Sequence, residues 1–284
     1  MFKKAIDDVK LKDIAGYNRG YANPRGQTID GYYPTMNVLE LKELAILPRR
    51  TPEETGALAK LIENLQTKNS LEYSRMFSEE IAKAGGKAIG MPQTFYLASN
   101  DITSSGECAA LANTMALAIQ HGKERVLIDN FFKASLNSID PTITGFRRQL
   151  NTMHQALRVN FHGTNPVSRQ AYTDIITDLS NRTTSTTLKI STQNHGLLAG
   201  VIVNNNQKEW FFFDPNFGLA KFPDEASMRR GLDATLNSGW SAGTLKPVAI
   251  NHGIPEYDVS TFNDLDFLAT VPYNNPYALF NTAL

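Results

Sequence analysis

The sequence predicts an α+β fold, with a mostly helical first part followed by an antiparallel β-meander. Two observations carry this. Capped starts with apolar residues at helical spacing recur up to about Leu179, whereas from Thr183 the chain turns to short β-branched, apolar and aromatic runs. No internal repeat or low-complexity linker breaks the sequence into separate blocks.

Taken in order, Gly16 to Tyr33 is rich in Gly, Tyr and Asn and reads as an irregular segment over the body of the protein. Met36 to Leu47 forms a short helix stopped by Pro48. Thr51-Pro52-Glu53-Glu54 combines an N-cap threonine, a first-turn proline and a capping-box glutamate, and Leu58, Leu61, Ile62 and Leu65 follow at helical spacing. A further helix is expected from Leu71 to Ala84, closed by Gly85-Gly86. Thr94 to Ala98 reads as a short strand, and Thr142 to Asn160 and Asn165 to Leu179 as helices, the latter opening with Asn165-Pro166. Thr183 to Thr192, Gly196 to Asn204 and Glu209 to Phe213 make the meander, with a hairpin turn at Asn204 to Gln207. Phe222 to Asn237 is expected to be a helix and Leu245 to Asn251 a strand, and the apolar tail beyond Pro255 packs back on the body.

Composition narrows the function. Lys+Arg and Asp+Glu both number 28, which leaves no bulk charge to attract nucleic acid or an anionic membrane. A hydrophobic content of 42% and a mean hydropathy of −0.29 are those of an ordinary globular chain. One cysteine rules out an internal disulfide framework, and five scattered histidines lack the spacing of a common zinc site. No cofactor or metal is expected. Met1 to Asp8 has two lysines but no apolar run behind them, so no secretory signal peptide is expected, and no stretch reaches the ~20 apolar residues of a membrane span.

The chemistry gathers around the single cysteine. Ser104 and Glu107 match a capping box, so a helix is expected to start near Ser105, to run buried from Ala109 to Gln120, and to stop at His121-Gly122. Cys108 then lies in the first turn, where free backbone N–H groups and the helix dipole favour thiolate. A free cysteine is often only a small buried hydrophobe. Its partners decide. Asn194-His195-Gly196 opens one strand of the hairpin and Phe213-Asp214-Pro215 closes the next, so antiparallel pairing makes His195 and Asp214 neighbours. A carboxylate on one imidazole nitrogen fixes the tautomer and leaves the other for a thiol, with Cys108 as nucleophile, His195 as base and Asp214 as orienter. Of the other histidines, His121 ends the Cys helix, His154 sits on a helix and His162 in a loop. His252, at a strand end, is the one substitute for His195.

Gly106-Glu107-Cys108 at a helix start, His195-Gly196 opening a strand and the Phe-Asp-Pro-Asn-x-Gly stretch from Phe213 to Gly218 resemble the YopT-type cysteine peptidases of family C58, within the papain-like superfamily. The resemblance spans about Gln93 to Gly218. It implies a papain-like domain over residues 91–284, in which the buried Cys helix packs on an antiparallel sheet, preceded by a helical extension over residues 1–90. It also implies a bacterial effector or toxin, secreted without a signal peptide and acting in the host cytoplasm on a host protein, a small GTPase among the candidates. Thiolate attack on an amide would give a thioester that water hydrolyses, with the Cys108 backbone N–H as one oxyanion donor. The Gln or Asn that such enzymes place five or six residues before the cysteine is missing here. Asn100 is the nearest amide and Gln93 lies further back. Cleavage of a target or of its own carrier chain, glutamine deamidation, lysine acylation and non-catalytic binding of a host protein all remain open at this point.

Overall fold

The computed structural model describes residues 29–284, apart from residues 30, 34, 49, 102, 103, 105, 137, 138 and 206. Most of the irregular segment expected at Gly16 to Tyr33 lies outside the described residues.

The helical part opens with α1 (Val38–Ala45), capped by an Asn37–Glu40 box, and α2 (Pro52–Lys83). The Thr51 hydroxyl accepts from the Glu54 N–H, and the Glu54 carboxylate accepts from the Thr51 N–H. Where two helices were expected, α2 is one unbroken helix of 32 residues. No Pro or Gly interrupts residues 66–71, and Gln66, Ser70 and Ser74 are buried within the helix rather than looped out: Ser70 Oγ donates to the Gln66 carbonyl and Ser74 Oγ to that of Phe217. Those polar positions hide the apolar stripe that continues to Phe77 and Ile81.

Strand β1 (Lys87–Gly90), which the sequence reading did not anticipate, leads into α3 (Gln93–Asn100). The strand expected at Thr94 to Ala98 is therefore a helix. Its aromatic content reflects packing on a single later helix, with Tyr96 stacked on Phe131 and Phe95 edge-on to Phe132. There follow α4 (Cys108–Gln120), an unanticipated α5 (Glu124–Ala134) and α6 (Pro141–Leu157). Asn165-Pro166 opens no helix, because the Asn165 amide donates to Asp266 and to the His162 carbonyl. A short strand β2 (Ser168–Gln170) precedes α7 (Tyr172–Asn181) instead.

The meander forms as β3 (Thr186–Ser191), β4 (Gly196–Asn204), β5 (Gln207–Asp214) and β6 (Gly218–Phe222). Helix α8 (Glu225–Asp233), capped by Asp224, runs into a π-helical turn at Ala234–Ser238. The strand expected from Leu245 shrinks to β7 (Ala249–Asn251), which pairs with β8 (Ile254–Thr261), and α9 (Asp264–Thr270) follows.

The main sheet is antiparallel in the order β1-β6-β5-β4-β3-β8-β2. Alternation along its central strands builds two cores. Leu198, Phe211, Phe213 and Leu219 face α3 to α6, whereas Leu197, Ala199, Trp210, Phe212 and Phe222 face Phe77 and Ile81 of α2 together with α7 and α8. The Cys-bearing helix α4 lies in the first layer, buried from Ala109 to Ile119. Phe262, Phe267, Val271 and Phe280 of the tail close that layer. A third, smaller cluster joins α1 to the first half of α2. Among the described residues no helix is long and apolar enough to cross a membrane.

The β5–β6 turn leaves no room for a side chain at its last residue. Gly218 adopts φ +144°, and a Cβ there would lie 2.1 Å from the Ile89 carbonyl oxygen. Gly218→Ala should cost about 3 kcal/mol or more and displace the Asp214 end of β5, checked by urea unfolding of wild type and variant.

Candidate active site

Three segments meet at one end of the central strands: the start of α4, the entry to β4 and the exit of β5. Leu198 pairs with Phe213 in the β4–β5 ladder, which carries His195, just before β4, to the last residue of β5. His195 Nε2 lies 2.7 Å from Asp214 Oδ1, and the side chains are only 9% and 3% exposed. That bond leaves Nδ1 for the Cys108 thiol, which is in hydrogen-bonding contact with His195 and with the Gly196 backbone N–H.

The charges follow from this geometry. Burial alone pushes the Cys108 thiol up, but the hydrogen bond and positive charge of His195, with the Gly196 N–H, outweigh it and hold the thiol below its ordinary value. Burial disfavours the His195 cation, and Asp214 on one side and Cys108 on the other overcome that, raising the imidazole well above its usual range. Both directions favour a thiolate–imidazolium pair.

The helix start differs from the expected one. Cys108 is the first residue of α4, Glu107 is the N-cap, and no capping box forms. Ser104 Oγ instead accepts from the Gly106 N–H, and Ser105 lies outside the described residues. The Glu107 carboxyl turns inward, 3% exposed, with Oε1 3.4 Å from the Asn151 amide and Oε2 without a partner. Burial lifts its pKa to about 7, with Asp101 adding to the rise and Asn151 opposing it.

Asn100 cannot point its amide at the nucleophile, since Nδ2 donates to the Tyr96 and Ala134 carbonyls. The amide beside the cysteine is that of Gln93. Its Oε1 accepts from the Glu107 N–H at 2.6 Å and its Nε2 donates to Asn216 Oδ1 at 2.7 Å. Gly106, at φ +138°, allows that approach, for a Cβ would sit 3.2 Å from the Gln93 amide. Gln93 lies fifteen positions before Cys108 because a helix and a loop come between them, and the strand-like residues of α3 conceal that spacing in the sequence.

The Asp214–Gly218 turn is braced from several sides. Asn216 N–H donates to Asp214 Oδ1 at 2.8 Å, Gln93 N–H to the Pro215 carbonyl at 2.7 Å and Met91 N–H to that of Phe217. The remaining described histidines stand apart. His162 bridges Ser191 and Ser260, His154 is buried in α6, and His252 occupies the exposed β7–β8 turn at φ +50°, so it does not replace His195. Among the described residues no three or more His, Cys, Asp or Glu side chains converge as a metal site.

A family model for the Mcf1 protease effector domain matches residues 1–245. The chain belongs to that family. A multifunctional-autoprocessing repeats-in-toxin protein of Vibrio vulnificus is 26% identical over 252 residues, a match covering 75% of this chain and 5% of that protein. The crystal structure of PatoxP, a cysteine protease-like domain of the Photorhabdus asymbiotica toxin PaTox, aligns with a TM-score of 0.57 at 15% identity, covering 94% of this chain and 84% of that one. The α+β architecture is thus shared with a cysteine protease-like domain, and the family is one of protease effector domains.

The raised Glu107 pKa has a sign that can be tested. The folded state holds this proton more tightly than the unfolded chain, so the stability it confers is complete below the ordinary carboxylate pKa and is lost as pH rises toward about 7. Glu107→Gln should therefore gain on the wild type by on the order of 2 kcal/mol more at pH 8 than at pH 4.5, measured by denaturant unfolding at both. An equal difference at the two pH values would mean that the carboxyl is not held protonated.

Proposed function

We propose that this domain is an acyl-transfer enzyme that works as a cysteine peptidase of the YopT-like type, with Cys108 as nucleophile, His195 as base and acid, and Asp214 as orienter. The hydrogen-bonded Cys108–His195–Asp214 chain, with both ends of the thiol–imidazole pair shifted toward charge, carries this reading. Thiolate attack on an amide carbonyl forms a C–S bond and a tetrahedral oxyanion. Collapse expels the amine, which takes its proton from the His195 imidazolium. Neutral His195 then takes a proton from water as the hydroxyl attacks the thioester, releasing the carboxylic acid and restoring the thiol.

Two donors suit the oxyanion. The Cys108 backbone N–H is one of the first in α4, without an intrahelical acceptor, and the Gln93 amide lies against the two residues before the nucleophile. Gln93 takes the role that sequence spacing offered to Asn100.

The domain is read as residues 91–284 and residues 1–90 as a helical extension, of which α2 and β1 pack into the main sheet and its second core. The substrate is a host protein or the chain's own carrier polypeptide. A small GTPase fits the YopT resemblance, and the word autoprocessing in the name of the Vibrio relative favours the carrier. Export without a signal peptide and action in the host cytoplasm fit a toxin effector domain.

Brief iodoacetamide treatment across pH 5 to 9, read by intact mass, tests the thiolate. Cys108 should be alkylated at pH 6 at least about tenfold faster than a free thiol of pKa about 8.5, and His195→Ala should abolish the excess. Ordinary thiol behaviour in both proteins would end the triad reading. Gln93→Ala separates the oxyanion role from activation of the thiol. It should leave alkylation unchanged and lower turnover by about 10²–10³, followed as new N-termini in a host-cell lysate or in the carrier chain.

A further inference from the structure

Residues 158–165, between α6 and β2, form an irregular strap against the sheet face that carries α4. The triad does not use this segment, yet many groups hold it. The Phe161 carbonyl accepts from Lys189 Nζ at 3.0 Å, and the His162 ring nitrogens lie 2.7 Å from Ser260 Oγ and 2.8 Å from Ser191 Oγ. Asp266 of α9 accepts from the Thr164 N–H at 3.0 Å, from its hydroxyl at 2.6 Å and from the Asn165 amide at 2.8 Å. Gly163, at φ +63°, makes room for that carboxylate.

Lys189 is the unexpected anchor. It lies on the central strand β3, only 1% exposed, with its ammonium 5.8 Å from the Phe161 ring centroid and 5.9 Å from that of Phe262. Burial pulls its pKa down to about 8 while Asp266 opposes, so it stays cationic at neutral pH and below. A methionine would fill the same space with no charge to desolvate. What the methionine would lack is a donor for the Phe161 carbonyl.

The ring held in this way rests on Gly196. A Cβ there would lie 2.7 Å from two carbons of the Phe161 ring, so the absence of a side chain is what lets the two meet. Gly196 follows His195, and its N–H contacts the Cys108 thiol. The strand beside it is gripped as well. Ser191, held by His162, pairs with Gly196 in the β3–β4 ladder, and the Thr192 N–H donates to the His195 carbonyl at 2.9 Å.

We infer that Phe161 is a positioning residue for the acyl-transfer site: anchored by Lys189, its ring fixes Gly196 so that the Gly196 N–H and the His195 imidazole stay on the Cys108 sulfur. The inference rests on the acyl-transfer reading and deepens it. Lys189 acts through Phe161 and not through its own charge, for the charges acting on Cys108 are those of His195 and Asp214.

Iodoacetamide alkylation of Cys108 from pH 4 to 9 on the full chain, read by intact mass, gives the pH midpoint at which the thiolate appears. Phe161→Ala should raise that midpoint by about one unit, tenfold in the ionisation constant, as expected for weakening one hydrogen bond to a charged acceptor. Phe161→Leu, which keeps apolar bulk and guards against failure to fold, should move it in the same direction. Phe161→Tyr keeps the ring and should leave it in place. Lys189→Met should also raise the midpoint, and the double variant with Phe161→Ala should rise no further than Phe161→Ala alone, because one residue acts through the other. Additive shifts would overturn the inference, as would an unmoved midpoint in the alanine and leucine variants, even where their melting temperature falls. A low wild-type midpoint that these variants do not move leaves the acyl-transfer reading standing without the strap. A wild-type midpoint near the free-thiol value of about 8.5 removes that reading and the inference with it.

Discussion

The 2.7 Å hydrogen bond between His195 and Asp214 is the constraint on which the site depends. It joins two residues 19 apart in sequence, so it exists only while β4 and β5 keep their register. A slip of one residue would turn every side chain of β5 to the opposite face and exchange the two cores built by Phe211, Phe213 and Phe212. The bond is thus secured by the burial of a whole hairpin, far more apolar surface than one imidazole and one carboxylate could command. The turn after Asp214 adds a second fixation. Pro215, Asn216 and Phe217 each give a backbone group to a hydrogen bond with a neighbour, and Gly218 lets β1 approach closely.

That dependence explains which parts of the site were legible in the sequence. The adjacency of His195 and Asp214 needed only a short turn and antiparallel pairing, two local rules that agree with each other. Cys108 was legible through its position before an uninterrupted Ala- and Leu-rich run. Gln93 was not, because its place depends on a tertiary packing choice. Thr94 to Ala98 looks like a strand by its residues, and the aromatic contacts of Tyr96 and Phe95 with α5 make it a helix. Glu107 was misplaced for a related reason. A capping box is a local contact, and the inward turn of the carboxyl toward Asn151 of α6 displaced it. Asn165 fell to the same competition, with its amide used by Asp266 rather than by a helix start.

The long helix α2 shows the reverse case, in which local rules underestimated order. Its capped start at Thr51 was clear, yet the buried polar residues Gln66, Ser70 and Ser74 look like a break when read without partners. Ser74 is bonded to the Phe217 carbonyl and Ser70 to its own helix, so two of the three have an evident structural reason. Gln66 Oε1 is buried without a hydrogen-bond partner among the described residues, as is Asn64 Nδ2 in the same helix.

Electrostatics and packing are coupled most closely at the start of α4. Two ionisable groups adjacent in sequence meet opposite environments there. Glu107 is buried with one distant amide, and burial keeps its proton on near neutrality; Cys108 is also shielded, but it faces an imidazole held cationic by Asp214 and so loses its proton more easily. A charged Glu107 would place a second anion beside the thiolate and oppose it. Keeping that neighbour neutral while His195 is kept charged is the arrangement that lets one helix start present a single negative sulfur, and it needs α6 as much as it needs the catalytic hairpin.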